Sequence, residues 1–251
     1  RGLGDVYKRQ PLHNYLAMTY TRTILTAITL ALATILIAAY AARQPRLPKR
    51  YEDQQSLTIY QVMVASFNRD TTATTPGYTA MWGPDDNRKD GNIAGVTTAL
   101  DHIASIGANA IWLTPIFDSS KAKGGEKLRS TGYFANDYFA IDPHFGTRDD
   151  LRHLIDEAHA RGLYVILDGV FGHHGGVTTP SPSGYTIDST PSANVRDTIP
   201  SGNVAYPASL PYFREVATWW IDNYDIDGWR LDQAYQVVQN GHNYWREIRQ
   251  A

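Results

Sequence analysis

Cysteine is absent from this chain, so disulfides and thiol chemistry are both closed to it. Basic charge is not in excess either. Lys and Arg number 23 against 25 Asp and Glu, a net charge of −2, and no basic stripe argues for nucleic acid as a partner. No glycine-rich phosphate loop follows the first apolar run, which counts against a nucleotide-binding fold. No HExxH or comparable spacing offers a zinc site. The neighbouring His173 and His174 would point apart in an extended segment. What remains is an ordinary globular composition, 43% hydrophobic and 19% charged over 251 residues. That is enough for one large domain or two small ones.

The N-terminal region stands apart from the rest. RGLGDVYKRQ, Arg1 to Gln10, resembles translated adapter read-through, so residues 1–17 are set aside as a non-native leader. After Met18 and Arg22 comes an uncharged run from Thr23 to Ala42. Ala39-Tyr40-Ala41 fits the small-x-small rule for signal peptidase, so residues 18–41 read as an export signal and the product as secreted or periplasmic. The alternative is an uncleaved membrane anchor, because about 20 residues suffice to span a bilayer. Residues 42–56, polar and proline-bearing, read as a linker.

From residue 57 apolar strands alternate with helices. The pattern predicts strands at Leu57–Phe67, Ala108–Phe117, Leu163–Val170 and Ile226–Leu231. It predicts helices at Asn92–Gly107, at Gly146–Gly162 with Thr147 as N-cap, at Leu210–Tyr224, and from about Asn243. Near-continuous apolar strands separated by helices imply a parallel sheet covered on both faces, either doubly wound or a (β/α)8 barrel. In both, polar residues at the C-terminal strand ends mark the site. Here those residues are Asn68, Thr114, Asp168, Arg230 and Asp232. Residues 175–209, rich in Gly, Ser, Thr and Pro, form a long excursion at the same end, read as a lid or binding loop or else as disorder.

Two stretches carry the candidate chemistry. In DIDGWRLDQAY, Arg230 and Asp232 lie two apart on a strand and so share a face. A neighbouring guanidinium favours the ionised carboxylate, the form a covalent nucleophile needs, though the pair could equally be a structural one. In VILDGVFGHHG, Asp168 ends a strand and His173 follows five residues on. Two glycines between them would let the backbone curl so that both side chains face one pocket and bind sugar hydroxyls. The plainer alternative is a turn cap and a satisfied loop histidine. Trp82, Tyr133, Phe134, Tyr138 and Tyr185 are candidates for stacking on sugar rings, and Trp219 and Trp220 for the core. The run from Asp85 to Gly91 faintly resembles a calcium loop, but Lys89 stands where an oxygen ligand is required.

GANAIWLTPIF, TGYFANDYFAIDPHFGTRDDL, VILDGVFGHHG and DGWRLDQAY, in this order and spacing, together resemble glycoside hydrolase family 13, the α-amylase family, from about Leu57 onward. The resemblance implies a (β/α)8 TIM barrel truncated here to about its first four βα units, with a small inserted domain at about 175–209. It implies retaining cleavage of α-glucosidic bonds in starch-like glucans or maltooligosaccharides. Asp232 would be the nucleophile and Arg230 its positioning partner, while Asp168 and His173 would bind the sugar and Tyr133 stack on it. The family's general acid follows a fifth strand and would lie beyond Ala251, since Glu247 does not match its motif. The chain is therefore expected to be an inactive fragment of an enzyme. A transglycosylase of the same family, or a non-catalytic membrane-anchored amylase-like subunit, are the alternatives.

The chain departs from the family pattern at three positions. Gly172 stands where many α-amylases carry a calcium-ligating asparagine, so calcium is possible but its usual ligand is missing. Tyr235 and Gln236 stand where lysine and histidine are frequent.

Overall fold

The computed structural model describes residues 23–31, 34, 57–79, 90–122, 125–176, 178–191 and 202–251. The chain divides into two compact units, Arg1–Pro45 and Arg46–Ala251. In the first, residues 23–31 are helical, with Ile24, Leu25, Ile28 and Leu30 exposed. The leader, half of the uncharged run Thr23–Ala42 and the linker fall outside the described residues. Among the described residues no helix is long and apolar enough to cross a membrane.

The second unit is built on a four-stranded parallel sheet. Its strands are β1 (Ile59–Val62), β2 (Ala110–Leu113), β3 (Tyr164–Gly169) and β4 (Gly228–Leu231), hydrogen-bonded side by side in chain order. All three pairings are parallel, as the alternating pattern predicts. Helices α1 (Ile93–Thr98) and α2 (Leu100–Ser105) lie between β1 and β2, α3 (Arg148–Ala160) between β2 and β3, and α4 (Leu210–Tyr224) between β3 and β4. A short α5 (Trp245–Arg249) follows β4.

Alternation along the strands separates two faces. Val62, Ile111, Leu113, Val165 and Leu167 are almost fully buried and share one core with Ile93, Val96, Leu100 and Ile103, with Leu151, Leu154 and Ile155, and with Phe213, Val216 and Trp220. Burying each such side chain contributes about 1.5–3 kcal/mol, so this face holds the sheet to its helices. The opposite face carries Gln61, Trp112, Asp168 and Arg230, and there Gln61 is exposed and Trp112 and Arg230 half-buried. Trp220 is core as expected, its indole donating to Tyr138 O at 2.8 Å, whereas Trp219 is only partly buried.

The structure corrects the sequence reading in four places. The first strand stops at Val62, and Val64–Phe67 form a helical turn. Val64 N–H donates to Thr114 Oγ1 at 3.3 Å, so a side chain takes over from the ladder and the chain turns with Val64 and Ala65 buried inside it. The helix predicted over Asn92–Gly107 breaks at Ala99. Between the predicted strand Ala108–Phe117 and the predicted helix Gly146–Gly162, where the pattern predicts no strand, Asp137–Ile141 is a strand paired antiparallel with Phe117–Asp118. Lastly, the excursion after β3 is neither structureless nor wholly a loop. His173–His174, Gly202–Val204 and Ser189–Pro191 form a small antiparallel sheet in that order, and Glu215 of α4 accepts from both Ser181 Oγ (2.5 Å) and Ser183 Oγ (2.9 Å). By contrast, α3 begins as predicted, with a capping box in which Thr147 and Asp150 each satisfy the other's backbone N–H.

Candidate active site

Asp168 and Arg230 are register partners on β3 and β4, so their side chains rise from the same face. Asp232 follows two residues on, and its N–H donates to Gly169 O at 3.1 Å, extending the ladder past the strand end. Arg230 Nη1 sits between the carboxylates, 2.9 Å from Asp168 Oδ1, 3.1 Å from Asp168 Oδ2 and 2.6 Å from Asp232 Oδ1. The guanidinium also lies over the indole of Trp112, 4.6 Å from the ring centroid. Trp112 pairs with Ile166, two residues before Asp168, and therefore stands on the same face. Its Nε1–H donates to Asp168 Oδ2 at 3.0 Å.

Tyr133 enters from the loop after β2. Gly132 precedes it with φ +76°, and a Cβ there would lie 1.9 Å from Pro115 O, so only glycine allows this approach. Tyr133 Oη–H donates to Asp168 Oδ2 at 3.0 Å. Asp168 thus collects one donor on Oδ1 and three on Oδ2.

Burial dominates the electrostatics. Asp168 has no exposed surface, and burial pushes its carboxyl above the ordinary range despite the opposing bonds from Arg230, Tyr133 and Trp112. Burial and the adjacent Asp168 charge push the Tyr133 hydroxyl up as well, so it acts only as a donor to the carboxylate. Burial works against the charge on Arg230, but its bonds to two carboxylates outweigh that and hold it protonated. The outcome is a fixed cation shared by two enclosed acids.

Asp232, Arg230, Asp168 and Tyr133 are therefore brought together. The hydrogen bonds of His173 run elsewhere. Its Nδ1 is 3.0 Å from Gln236 Oε1, its ring packs 5.3 Å from Phe134, and its carbonyl accepts from Tyr138 Oη. Asn68 and Thr114 are not part of the cluster. Asn68 binds Gly95 O and Thr98 Oγ1 of α1, and Thr114 holds the turn after β1. Tyr138 is buried in the core and Tyr185 is exposed, while Trp82 lies outside the described residues. Glu247 of α5 pairs with His242, in the short hairpin Val238–Asn243 before it. The backbone does bend at Gly172, but neither Gly169 nor Gly172 has a positive φ. What position 172 lacks is room: a Cβ there would lie 2.3 Å from Gln236 Oε1.

His174 is used up structurally. Its Nδ1 accepts from Gly176 N–H at 3.1 Å, so Nε2 carries the proton to Ser189 Oγ at 2.6 Å. Burial, then the neighbouring His173, push its pKa down to about 4, and the ring stays neutral. Among the described residues no group of three or more His, Asp or Glu could hold a metal ion. The Gln236 side chain fills the space beside Gly172, and residues 85–89 of the calcium-like run lie outside the described residues. Two members of the arrangement were not anticipated. Trp112 was hidden in an apolar strand where tryptophan reads as core. Gln236 was visible only as a departure from the family pattern.

Residues 50–185 match the family described as alpha amylase, catalytic domain. The chain belongs to the α-amylase family. A cyclomaltodextrinase of Geobacillus thermopakistaniensis is 35% identical over 219 residues, which is 76% of this chain and 35% of that protein. An intracellular maltogenic amylase of Bacillus subtilis is 32% identical over 220 residues, 78% of this chain and 36% of that one. The crystal structure of AmyP in complex with maltose matches with a TM-score of 0.64 and 44% identity, covering 77% of this chain and 36% of AmyP. This α-amylase-family chain thus spans about a third of the length of these relatives, and its sheet is part of the family's TIM-barrel fold.

Proposed function

We propose that this chain supplies the nucleophile half of a retaining α-glycosidase, four of the eight βα units of the barrel, acting on maltooligosaccharides or starch-like glucans. The observation that carries the reading is the single guanidinium of Arg230 bound to both Asp168 and Asp232. Family membership and relatives named cyclomaltodextrinase and maltogenic amylase support the substrate class.

In this reading an Asp232 carboxylate oxygen attacks the anomeric carbon as the bond to the glycosidic oxygen breaks. That oxygen takes a proton from a general acid supplied outside this chain. Water, giving its proton back to that now deprotonated acid, then attacks the same carbon, the ester bond to Asp232 breaks, and the configuration is retained. Arg230 keeps the carboxylate aimed and charged as negative charge leaves it. Asp168 orients Arg230, Tyr133 and Trp112, and its less-used Oδ1 retains capacity for one sugar hydroxyl. Tyr133 supplies a ring face, and His173 a hydroxyl contact. The uncharged run after Arg22, ending in Ala39-Tyr40-Ala41, supports export, and N-terminal sequencing of exported protein checks it.

The test is trapping. In the full-length protein, a fluorinated glucosyl fluoride that forms the ester quickly and loses it slowly should label Asp232, as read by peptide mass spectrometry. Asp232→Asn should lower maltotriose turnover on the order of a thousandfold or more. A label on another residue, or near-normal turnover, overturns the assignment.

A further inference from the structure

Gln236 lies in the turn Ala234–Val237 that follows the β4 end. It is not loosely placed. Its N–H donates to Gln233 O at 2.9 Å, and its carbonyl accepts from Gln239 Nε2 at 3.0 Å. Gln239 in turn donates to Val204 O at 2.8 Å and accepts from Tyr206 N–H at 2.9 Å. Val204 N–H reaches back to Gly172 O at 3.0 Å. The turn, the small inserted sheet and the segment after β3 are thus tied into one ring of bonds. Within that ring the Gln236 side chain fills the space over Gly172, with Oε1 2.3 Å and Cβ 2.4 Å from where a Cβ at 172 would stand.

We propose that Gln236 is a positioning residue for His173, and that Gly172 is glycine to admit it. The amide oxygen can only accept, so a Gln236 Oε1 at 3.0 Å requires a proton on His173 Nδ1. In the neutral ring this leaves Nε2 as the acceptor, ready for a donated sugar hydroxyl proton. Phe134 closes one side of the ring, and the backbone of residue 173 is fixed by pairing with Asn203 and by Tyr138 Oη. The amide therefore decides the one remaining freedom, which nitrogen carries the proton. The role of Nε2 rests on the reading of His173 as a sugar contact given above; the tautomer does not.

The experiment separates the two. With histidine 15N-labelled in the full-length protein, long-range proton–nitrogen correlation at a pH that leaves the ring neutral reports the protonated nitrogen. His173 should carry its proton on Nδ1 in the unaltered protein. That pattern should persist in Gln236→Glu, and shift to the Nε2-protonated or mixed form in Gln236→Leu and Gly172→Ala. An Nε2-protonated His173 in the unaltered protein overturns the proposal whether or not any variant folds. So does Gln236→Leu with Nδ1 still protonated. Maltotriose affinity should fall roughly fivefold to tenfold in Gln236→Leu, the scale of one hydrogen bond. A changed tautomer with unchanged affinity supports Gln236 as positioning residue and overturns His173 as the sugar contact.

Discussion

Trp112 and Arg230 meet twice, through the guanidinium lying on the indole face and through their common acceptor, Asp168 Oδ2. The tryptophan therefore acts as both a floor and a donor. Trp112→Phe keeps the floor and removes the donor. It should lower stability by about 1.5–3 kcal/mol, one hydrogen bond to a buried charged group. Trp112→Ala should lower it by about 3 kcal/mol or more, since packing goes as well. Urea midpoints at constant slope give both values, and equal losses for the two variants would contradict the division.

Asp168 is the more exacting member of the pair it forms with Arg230, because it is fully enclosed. Asp168→Asn keeps its size but leaves Arg230 with one counter-ion. Removing one partner of a buried ion pair costs about 3–5 kcal/mol, and the surviving bond to Asp232 brings the expected loss to about 2–3 kcal/mol. Thermal unfolding should show it, and an unchanged melting temperature would count against the network.

Gly132→Ala tests how Tyr133 reaches the cluster. A methyl there meets Pro115 O and must also adopt φ +76°. The expected cost is about 2–3 kcal/mol, with Tyr133 displaced from Asp168. The fluorescence of the nearby Trp112 should change along with the stability, and a variant as stable as the parent would contradict the close approach.

A pH effect arises on the far side of the sheet. His159 Nε2 lies 2.8 Å from Asp227 Oδ2, which also accepts from Val165 N–H at 2.7 Å. Burial disfavours the charged ring, but the Asp227 bond and the charges of Asp227, Asp225 and Asp156 outweigh it, and the pKa is raised. The stabilisation is thus fully present below the unfolded value of about 6.5 and is lost as pH rises through the folded value. The melting temperature should fall as pH rises above about 6.5, and His159→Gln should abolish that part of the fall. A parallel fall in the variant would assign the effect elsewhere.

Period-two alternation made the face shared by Arg230 and Asp232 legible, and the matching end of the preceding strand brought in Asp168. Local signals likewise sufficed for α3, whose capping box lies within four residues. The misreadings were decided at long range. Nothing in the β-branched run Leu57–Phe67 announces a turn, because the hydroxyl that ends the ladder belongs to Thr114, fifty residues away. The strand Asp137–Ile141 was hidden because its partner, Phe117–Asp118, is only two residues long and irregular in register. Trp112 escaped because composition cannot tell an indole in the core from one under a guanidinium. Tyr133 was placed through the family resemblance rather than through any pattern of its own.

Strand order and chain order coincide throughout the sheet. Each new strand pairs with the one made just before it, and no strand waits for a partner synthesised later. Chains are made at about 5–20 residues per second, so each βα unit can dock on the growing edge within seconds of emerging from the ribosome. The last pairing, β3 with β4, then brings Asp168 and Arg230 into contact. Closure of the carboxylate cluster thus becomes the final event of vectorial assembly along this stretch of chain, and the buried acid finds its cation only once the layers beneath it are in place.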